Sequence, residues 1–261
     1  MISAKAVKTT AKMLLKENWT GAIVIAAAPV LATAVIYIAS YLLSLPLGDF
    51  SVIISVVLSL FLLSPLWLGA LRCYWKAANG VIDAPAQTFY YFSCFRLYKR
   101  AVVYTLKIAL RIFVAFAVFF LPSIIARLLT TENFYDFFGM ATPIWVLSFS
   151  PIFYVLRFAG FVLLVAYLLG IMLPAFLFVA NEDMSVNDCI KRGIEIGRTQ
   201  KNSLAAAVWS YMGWILLSLF MVPLLFTLPY LLMSYVVACR FAVAQYNMSI
   251  DKMNEIPTHE V

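Results

Sequence analysis

The chain has 261 residues, of which 64% are hydrophobic and only 12% are charged, against about 45–50% and about 25% in soluble domains. This composition excludes an ordinary soluble protein and predicts an all-α membrane bundle of about six transmembrane helices. The formal net charge of +7 would suit nucleic acid, but the basic residues stand in short segments beside apolar runs, as in membrane proteins.

The first 18 residues predict a basic amphipathic helix. Four lysines recur at helical spacing and form one stripe: Lys5, Lys8, Lys12 and Lys16. A neighbouring stripe is apolar and contains Ala4, Val7, Ala11 and Leu14. The apolar run that follows, over residues 20–47, is longer than the roughly 7–15 residues of a cleavable signal core, so we expect an uncleaved first span. The lysine stripe is expected to bind the inner leaflet by charge.

Six predominantly apolar segments predict the membrane spans. They cover residues 20–47, 51–71, 102–126, 158–180, 204–222 and 224–243. We expect a single integral membrane domain over residues 1–261, with a polar tail from residue 244. Pro223 is expected to sit in a tight hairpin between the last two spans, and residues 144–156 to form a short interfacial or re-entrant piece.

Two connections are predicted to lie along the inner membrane surface. Residues 72–101 are amphipathic, with Asn79-Gly80 as a turn. In residues 181–203, Ser185 followed by Asp188 makes a capping box that predicts the start of a short helix. Its apolar face would carry Val186, Cys189, Ile190, Gly193 and Gly197, and its charged face Lys191, Arg192, Glu195 and Arg198. The spacing of Gly193 and Gly197 is compatible with a close helix contact.

The distribution of cations predicts the orientation. With six alternating spans, fifteen of the 19 Lys and Arg residues fall on one side, and only Arg127 and Arg157 fall on the other. The positive-inside rule therefore places both termini in the cytoplasm of a multi-pass cell-membrane protein. The four cysteines lack CxxC spacing and fall at or near that inner side, so we expect reduced thiols.

Several positions together resemble a bacterial multi-pass family, domain of unknown function 975. They are Pro65-Leu66-Trp67-Leu68-Gly69, residues 89–92, Asn181-Glu182-Asp183-Met184-Ser185, the capped helix to Gly197 and Lys201, Trp209 with Gly213-Trp214, and Pro229-Tyr230. The chain departs from the family pattern in a longer insertion over residues 127–157 and in Val222-Pro223-Leu224, where the family has a glycine-rich turn. The resemblance implies a six-helix membrane fold and assigns no activity.

Few residues suit catalysis or metal binding. The only histidine, His259, lies in the polar tail, and no carboxylate falls inside a predicted span. Paired-carboxylate catalysis, acidic proton relays and His-carboxylate metal sites are therefore not expected. Walker, Rossmann and nucleophile-elbow patterns do not occur. We expect a protein that is not an enzyme and that carries no metal or cofactor.

Lys107 and Arg111 are the candidate anion- or lipid-binding residues, because both fall inside the third predicted span at a spacing that places them on one helix face. They could instead snorkel to the interface. In the preferred hypothesis the chain is a non-enzymatic membrane protein whose basic cytoplasmic face engages anionic lipid and a membrane protein partner. In the alternative it is a small transporter or permease subunit that takes an anionic or amphiphilic substrate on the Lys107/Arg111 face.

Overall fold

A computed structural model of the chain describes residues 4–16, 18–48, 50–81, 84–129, 150–211, 213–214 and 221–254. These residues are almost entirely helical and include no strand, which confirms the all-α class. The helices are α1 Ala4–Lys16, α2 Trp19–Leu47, α3 Phe50–Leu58, a π-helical turn Ser59–Leu63, α4 Ser64–Ala78, a 3-10 helix Pro85–Phe92, α5 Phe95–Leu129, α6 Ser150–Ala180, α7 Val186–Thr199, α8 Lys201–Ser210 and α9 Met221–Asn254.

The chain divides into two compact units. The first contains residues 1–106 and 170–261, and the second contains residues 107–169. Helices α5 and α6 each pass from one unit to the other.

Five helices within the described residues are long and apolar enough to cross a membrane, which supports a multi-pass membrane protein. They are Trp19–Pro46, Phe50–Ala78, Phe95–Ile125, Tyr154–Ala180 and Phe226–Ile250. Five of the six predicted spans fall on these helices. The remaining one, 204–222, is only partly described: α8 ends at Ser210, and residues 212 and 215–220 lie outside the described ranges.

Three predicted boundaries differ from the structure. The helix that contains the second predicted span continues past residue 71, since α4 ends at Ala78 and only then meets the predicted Asn79-Gly80 turn, where Gly80 has a φ of 81°. The proposed interfacial piece over residues 144–156 is wrong from residue 150 onward, since α6 runs unbroken from Ser150. Pro223 does not form a hairpin turn, because it lies in the first turn of α9, where the missing N–H needs no helical partner.

The hydrophobic core of the first unit gathers at one end of its helices. α1 buries Val7, Ala11 and Leu15 against the same cluster that holds Met233 and Val236 of α9. The first turns of α2, the residues of α4 and the last turns of α6 complete this cluster. The later turns of α2 and most of α3 instead expose large apolar side chains. In lipid, such exposure carries no hydrophobic penalty.

Candidate functional site

The amino-terminal helix presents its lysines outward and its apolar stripe inward. Lys5, Lys12 and Lys16 are exposed. Lys8 is half-buried, donates a hydrogen bond from Nζ to the Ser210 carbonyl at 2.7 Å and lies 4.9 Å from the centroid of the Tyr211 ring. The predicted basic stripe is therefore present, but only three of its lysines are exposed. The remaining one, Lys8, links α1 to the end of α8.

The apolar face of α1 is covered by protein. Val7, Ala11 and Leu15 are at most 1% exposed, and Leu14, which the sequence placed in this stripe, is only partly buried. The buried stripe of α1 therefore contains Leu15, where the sequence predicted Leu14. An amphipathic helix that inserts into a bilayer uses its apolar face for that purpose. Here the same face is already occupied by the helical core.

The predicted capped helix is confirmed as α7. Ser185 is its N-cap, and the Ser185 Oγ accepts a hydrogen bond from the Asp188 backbone N–H at 3.2 Å, which satisfies one of the unpaired donors of the first turn. The buried face contains Cys189, Ile190, Gly193, Ile196 and Gly197. The predicted charged face is exposed and contains Lys191, Arg192, Glu195 and Arg198.

Two glycines let α7 approach α6 closely. A Cβ on Gly193 would stand 2.6 Å from the Cα of Pro174, and a Cβ on Gly197 would stand 2.3 Å from the carbonyl oxygen of Gly170. Neither position can hold a larger residue without moving backbone. The two glycines therefore form the predicted close helix contact. Because this side of α7 packs on α6, the opposite, charged side of α7 is exposed.

A polar cluster fixes the loop that precedes α7. The Arg72 guanidinium binds Oε1 of Glu182 through Nε at 2.9 Å and through Nη2 at 2.8 Å. The Tyr90 hydroxyl donates to Oε2 at 2.9 Å, and its ring centroid lies 3.5 Å from the Arg72 Cζ. Arg72 is only 6% exposed. This cluster joins α4, the 3-10 helix and the loop after α6.

Desolvation alone would raise the pKa of Glu182. Hydrogen bonds from Arg72 and Tyr90, together with the charges of Arg72 and Arg100, outweigh it and lower that pKa below its ordinary value of 4.5. The carboxylate is therefore ionised at neutral pH and acts as an acceptor for both neighbours.

Arg100 holds the same loop from α5. Its Nη2 donates to the carbonyl of Asn181 at 2.8 Å and to that of Met184 at 3.0 Å, while its Cζ lies 4.7 Å from the centroid of the Phe178 ring. These carbonyls follow the end of α6, where a cation also meets the negative end of the helix dipole. Sequence reasoning used Arg72 and Arg100 only to assign topology and missed their contacts. The sequence signal at this place is the segment Asn181-Glu182-Asp183-Met184-Ser185, which was noted only for the family resemblance.

In the second unit, Arg111 is exposed and Lys107 is half-buried on α5. Arg111 lines an open groove of about 460 Å³ together with apolar side chains and Tyr167. The groove is formed by residues of α5 and α6. Arg111 is thus a cation beside an apolar groove, and its role as an anion- or lipid-binding residue stays a prediction.

The described residues contain no cluster of three His, Cys, Asp or Glu side chains that could hold a metal. None of the four cysteines forms a disulfide: Cys73, Cys189 and Cys239 are buried, and Cys94 is exposed.

No family model, no curated protein and no solved structure matches this chain. The resemblance to domain of unknown function 975 therefore stays a prediction, and the inferences below depend on the chain's own residues.

Proposed function

We propose that this chain is a non-enzymatic, multi-pass membrane protein whose basic cytoplasmic face binds anionic lipid. One observation carries the proposal: α1 and α7 both bury their apolar faces in the protein and leave cations exposed. These exposed cations, called here the basic face, are Lys5, Lys12 and Lys16 of α1 and Lys191, Arg192 and Arg198 of α7.

Binding by this basic face is electrostatic. Because Val7 and Ala11 of α1 and Cys189 and Ile190 of α7 are buried, neither helix has a free apolar face to insert into acyl chains. Each Lys or Arg near an anionic membrane surface contributes about 1 kcal/mol. Six such cations would favour anionic headgroups strongly at low salt and much less at high salt. The same surface would suit an acidic segment of a membrane protein partner.

The orientation of this face follows from the charge asymmetry. The cations of α1 and α7 belong to the majority side, so the positive-inside rule places the basic face and both termini in the cytoplasm. That side of a plasma membrane carries the anionic leaflet. The proposed lipid and the proposed orientation therefore support each other.

The alternative is a small transporter or permease subunit, and the groove at Arg111 favours it. An apolar groove with one cation at its edge has the chemistry to hold an amphiphile with an anionic head. Such a subunit would move its substrate across the membrane, whereas a lipid-binding protein would only retain it. A flux assay in sealed proteoliposomes with a labelled lysophospholipid separates the two: uptake above that of empty vesicles would favour the alternative.

The lipid proposal is tested by measuring which lipids stay with the detergent-purified chain. A triple Lys5→Gln, Lys12→Gln, Lys16→Gln variant is compared with the matched Lys→Arg triple, which keeps the charge. We expect the Gln variant to lose most of its anionic lipid and the Arg variant to retain it, with retention in both wild type and Arg variant falling as salt rises. Equal retention of anionic and neutral lipid by all three proteins would refute the proposal.

A further inference from the structure

The first unit contains a cavity that the basic face does not involve. It has a volume of about 300 Å³ and lies among α8, α9 and Met172 of α6. Its walls are almost entirely apolar and include Leu204, Ala207 and Ala238. That volume is at the lower end of the range of ligand sites, about 300–1,000 Å³. It is enough for one acyl chain and too small for a two-chain lipid.

Three hydroxyl-bearing side chains interrupt the apolar lining; one of them, Tyr235, donates a hydrogen bond to the Met172 carbonyl, and the other two are Tyr211 and Ser234. Tyr211 is 6% exposed and Ser234 is 1% exposed, and both line the cavity. The polar neighbours of the Tyr211 hydroxyl are the hydroxyls of Ser234 and Tyr230, but among the described residues neither Tyr211 nor Ser234 is placed closely and directly enough to form a hydrogen bond. Buried hydroxyls are almost always paired, because leaving them unpaired costs free energy. The pair is therefore poised to donate to an oxygen atom that enters the cavity.

A positive charge stands beside the same tyrosine. Lys8 Nζ lies 4.9 Å from the centroid of the Tyr211 ring and is fixed there by its hydrogen bond to the Ser210 carbonyl. Lys8 is half-buried, so solvent screens this charge less than it screens the exposed lysines of α1. An anionic head near the Tyr211 hydroxyl would be favoured over a neutral one.

From these three features we infer that the cavity binds one single-chain anionic amphiphile, with the acyl chain among the apolar side chains and the acidic head at Tyr211 and Ser234. The head accepts hydrogen bonds from the two hydroxyls, and Lys8 supplies the counter-charge. A fatty acid and a lysophospholipid share this chemistry. The inference does not depend on the basic face, because neither hydroxyl belongs to it.

The test uses the full-length chain in nanodiscs of neutral lipid and a photoactivatable long-chain fatty acid. Crosslinked peptides are identified by mass spectrometry, and unlabelled fatty acid, lysophospholipid and fatty alcohol compete in separate arms. We expect crosslinks on α8 and α9, and competition by both acidic amphiphiles but only weakly by the alcohol. The more potent acidic competitor identifies the natural head group. Competition by the alcohol equal to that of the acids would overturn the inference.

Two variants locate the site. Ala207→Phe fills the cavity and should abolish crosslinking, whereas Ala206→Phe, on the exposed side of the same helix, should leave it unchanged. The double variant Tyr211→Phe, Ser234→Ala removes only two oxygen atoms. It tests the same site if Ala207→Phe does not fold. It should weaken capture of the fatty acid by about a hundredfold, which corresponds to about tenfold for each of the two lost hydrogen bonds to the charged head. Unchanged crosslinking in the double variant would exclude the assigned head position and with it the inference.

Discussion

Gly69 lies so close to Thr88 that a Cβ on Gly69 would stand 1.9 Å from the Thr88 carbonyl oxygen. The contact joins α4 to the 3-10 helix, which carries Tyr90 to Glu182. Because the obstructing atom belongs to the backbone, no side-chain rotation can make room. This contact therefore brings α4 and the 3-10 helix close together beside the polar cluster.

Replacing Gly69 by Ala should destabilise the protein by about 1–3 kcal/mol, the usual cost of overpacking a buried contact. The midpoint of thermal unfolding in detergent measures the effect. Gly170→Ala is the matched control, because nothing lies within 4 Å of a Cβ at Gly170. The control should be neutral or slightly stabilising, since Ala favours the helix. Equal stability of the two variants would contradict the close contact.

The Glu182 carboxylate should make stability depend on acidic pH. Its pKa is lowered in the folded state, so the stabilisation is complete above the ordinary value of 4.5 and is lost as pH falls through the folded pKa. We expect Glu182→Gln to cost about 1–3 kcal/mol at neutral pH, less than for a fully buried pair because Glu182 is 40% exposed. In the variant, stability should no longer fall at the pH at which the Glu182 carboxylate of the wild type is protonated. A wild-type acid profile in Glu182→Gln would argue against the assigned ion pair.

Cysteine labelling of intact cells checks the proposed orientation. In a background without native cysteines, Asn133→Cys should react with an impermeant thiol reagent, and Asn187→Cys on α7 should react only after permeabilisation. The expectation follows from the concentration of cations on the side of α1 and α7. The reverse labelling pattern would show that the basic face is extracytoplasmic.

Arg111→Leu tests the groove of the second unit. If the groove holds an anionic amphiphile, Arg111→Leu should lose the lipid bound there, since the charge beside the groove is lost, while Arg111→Lys should retain most of it and the lipid on the basic face should not change. Because Arg111 is exposed, we expect thermal stability to change by less than about 0.5 kcal/mol. Lys107→Leu should have a weaker effect on bound lipid. Unchanged lipid in Arg111→Leu would leave snorkelling as the role of this arginine.

The features of α7 were predictable from the sequence because they depend on local patterns. The capping box of Ser185 and Asp188 and the alternating faces of α7 depend on residues within a few positions of one another, so the sequence alone located that helix. The Gly193 and Gly197 contact was predictable for the same reason.

Long-range pairs were not predictable in this way. Arg72 and Glu182 are 110 residues apart, and nothing in either segment indicates the other. The same pair explains why the helix was predicted to end too early. A cation at residue 72 usually indicates the end of a membrane span. Here Glu182 pairs with Arg72, so α4 continues with Arg72 buried. The sequence also could not show what covers the apolar stripe of α1, because such a stripe packs equally well against lipid or against protein.

The burial of α1 against α9 has a consequence for biosynthesis. Val7 and Ala11 emerge from the ribosome long before their neighbours Met233 and Val236, because α1 precedes α9 by most of the chain. During the whole interval the apolar face of α1 lacks its final cover, so the nascent chain has to be shielded by bilayer or chaperone. Completion of the core is thus delayed until translation reaches α9. Truncation before that helix would leave an inserted but unassembled chain for quality control to remove.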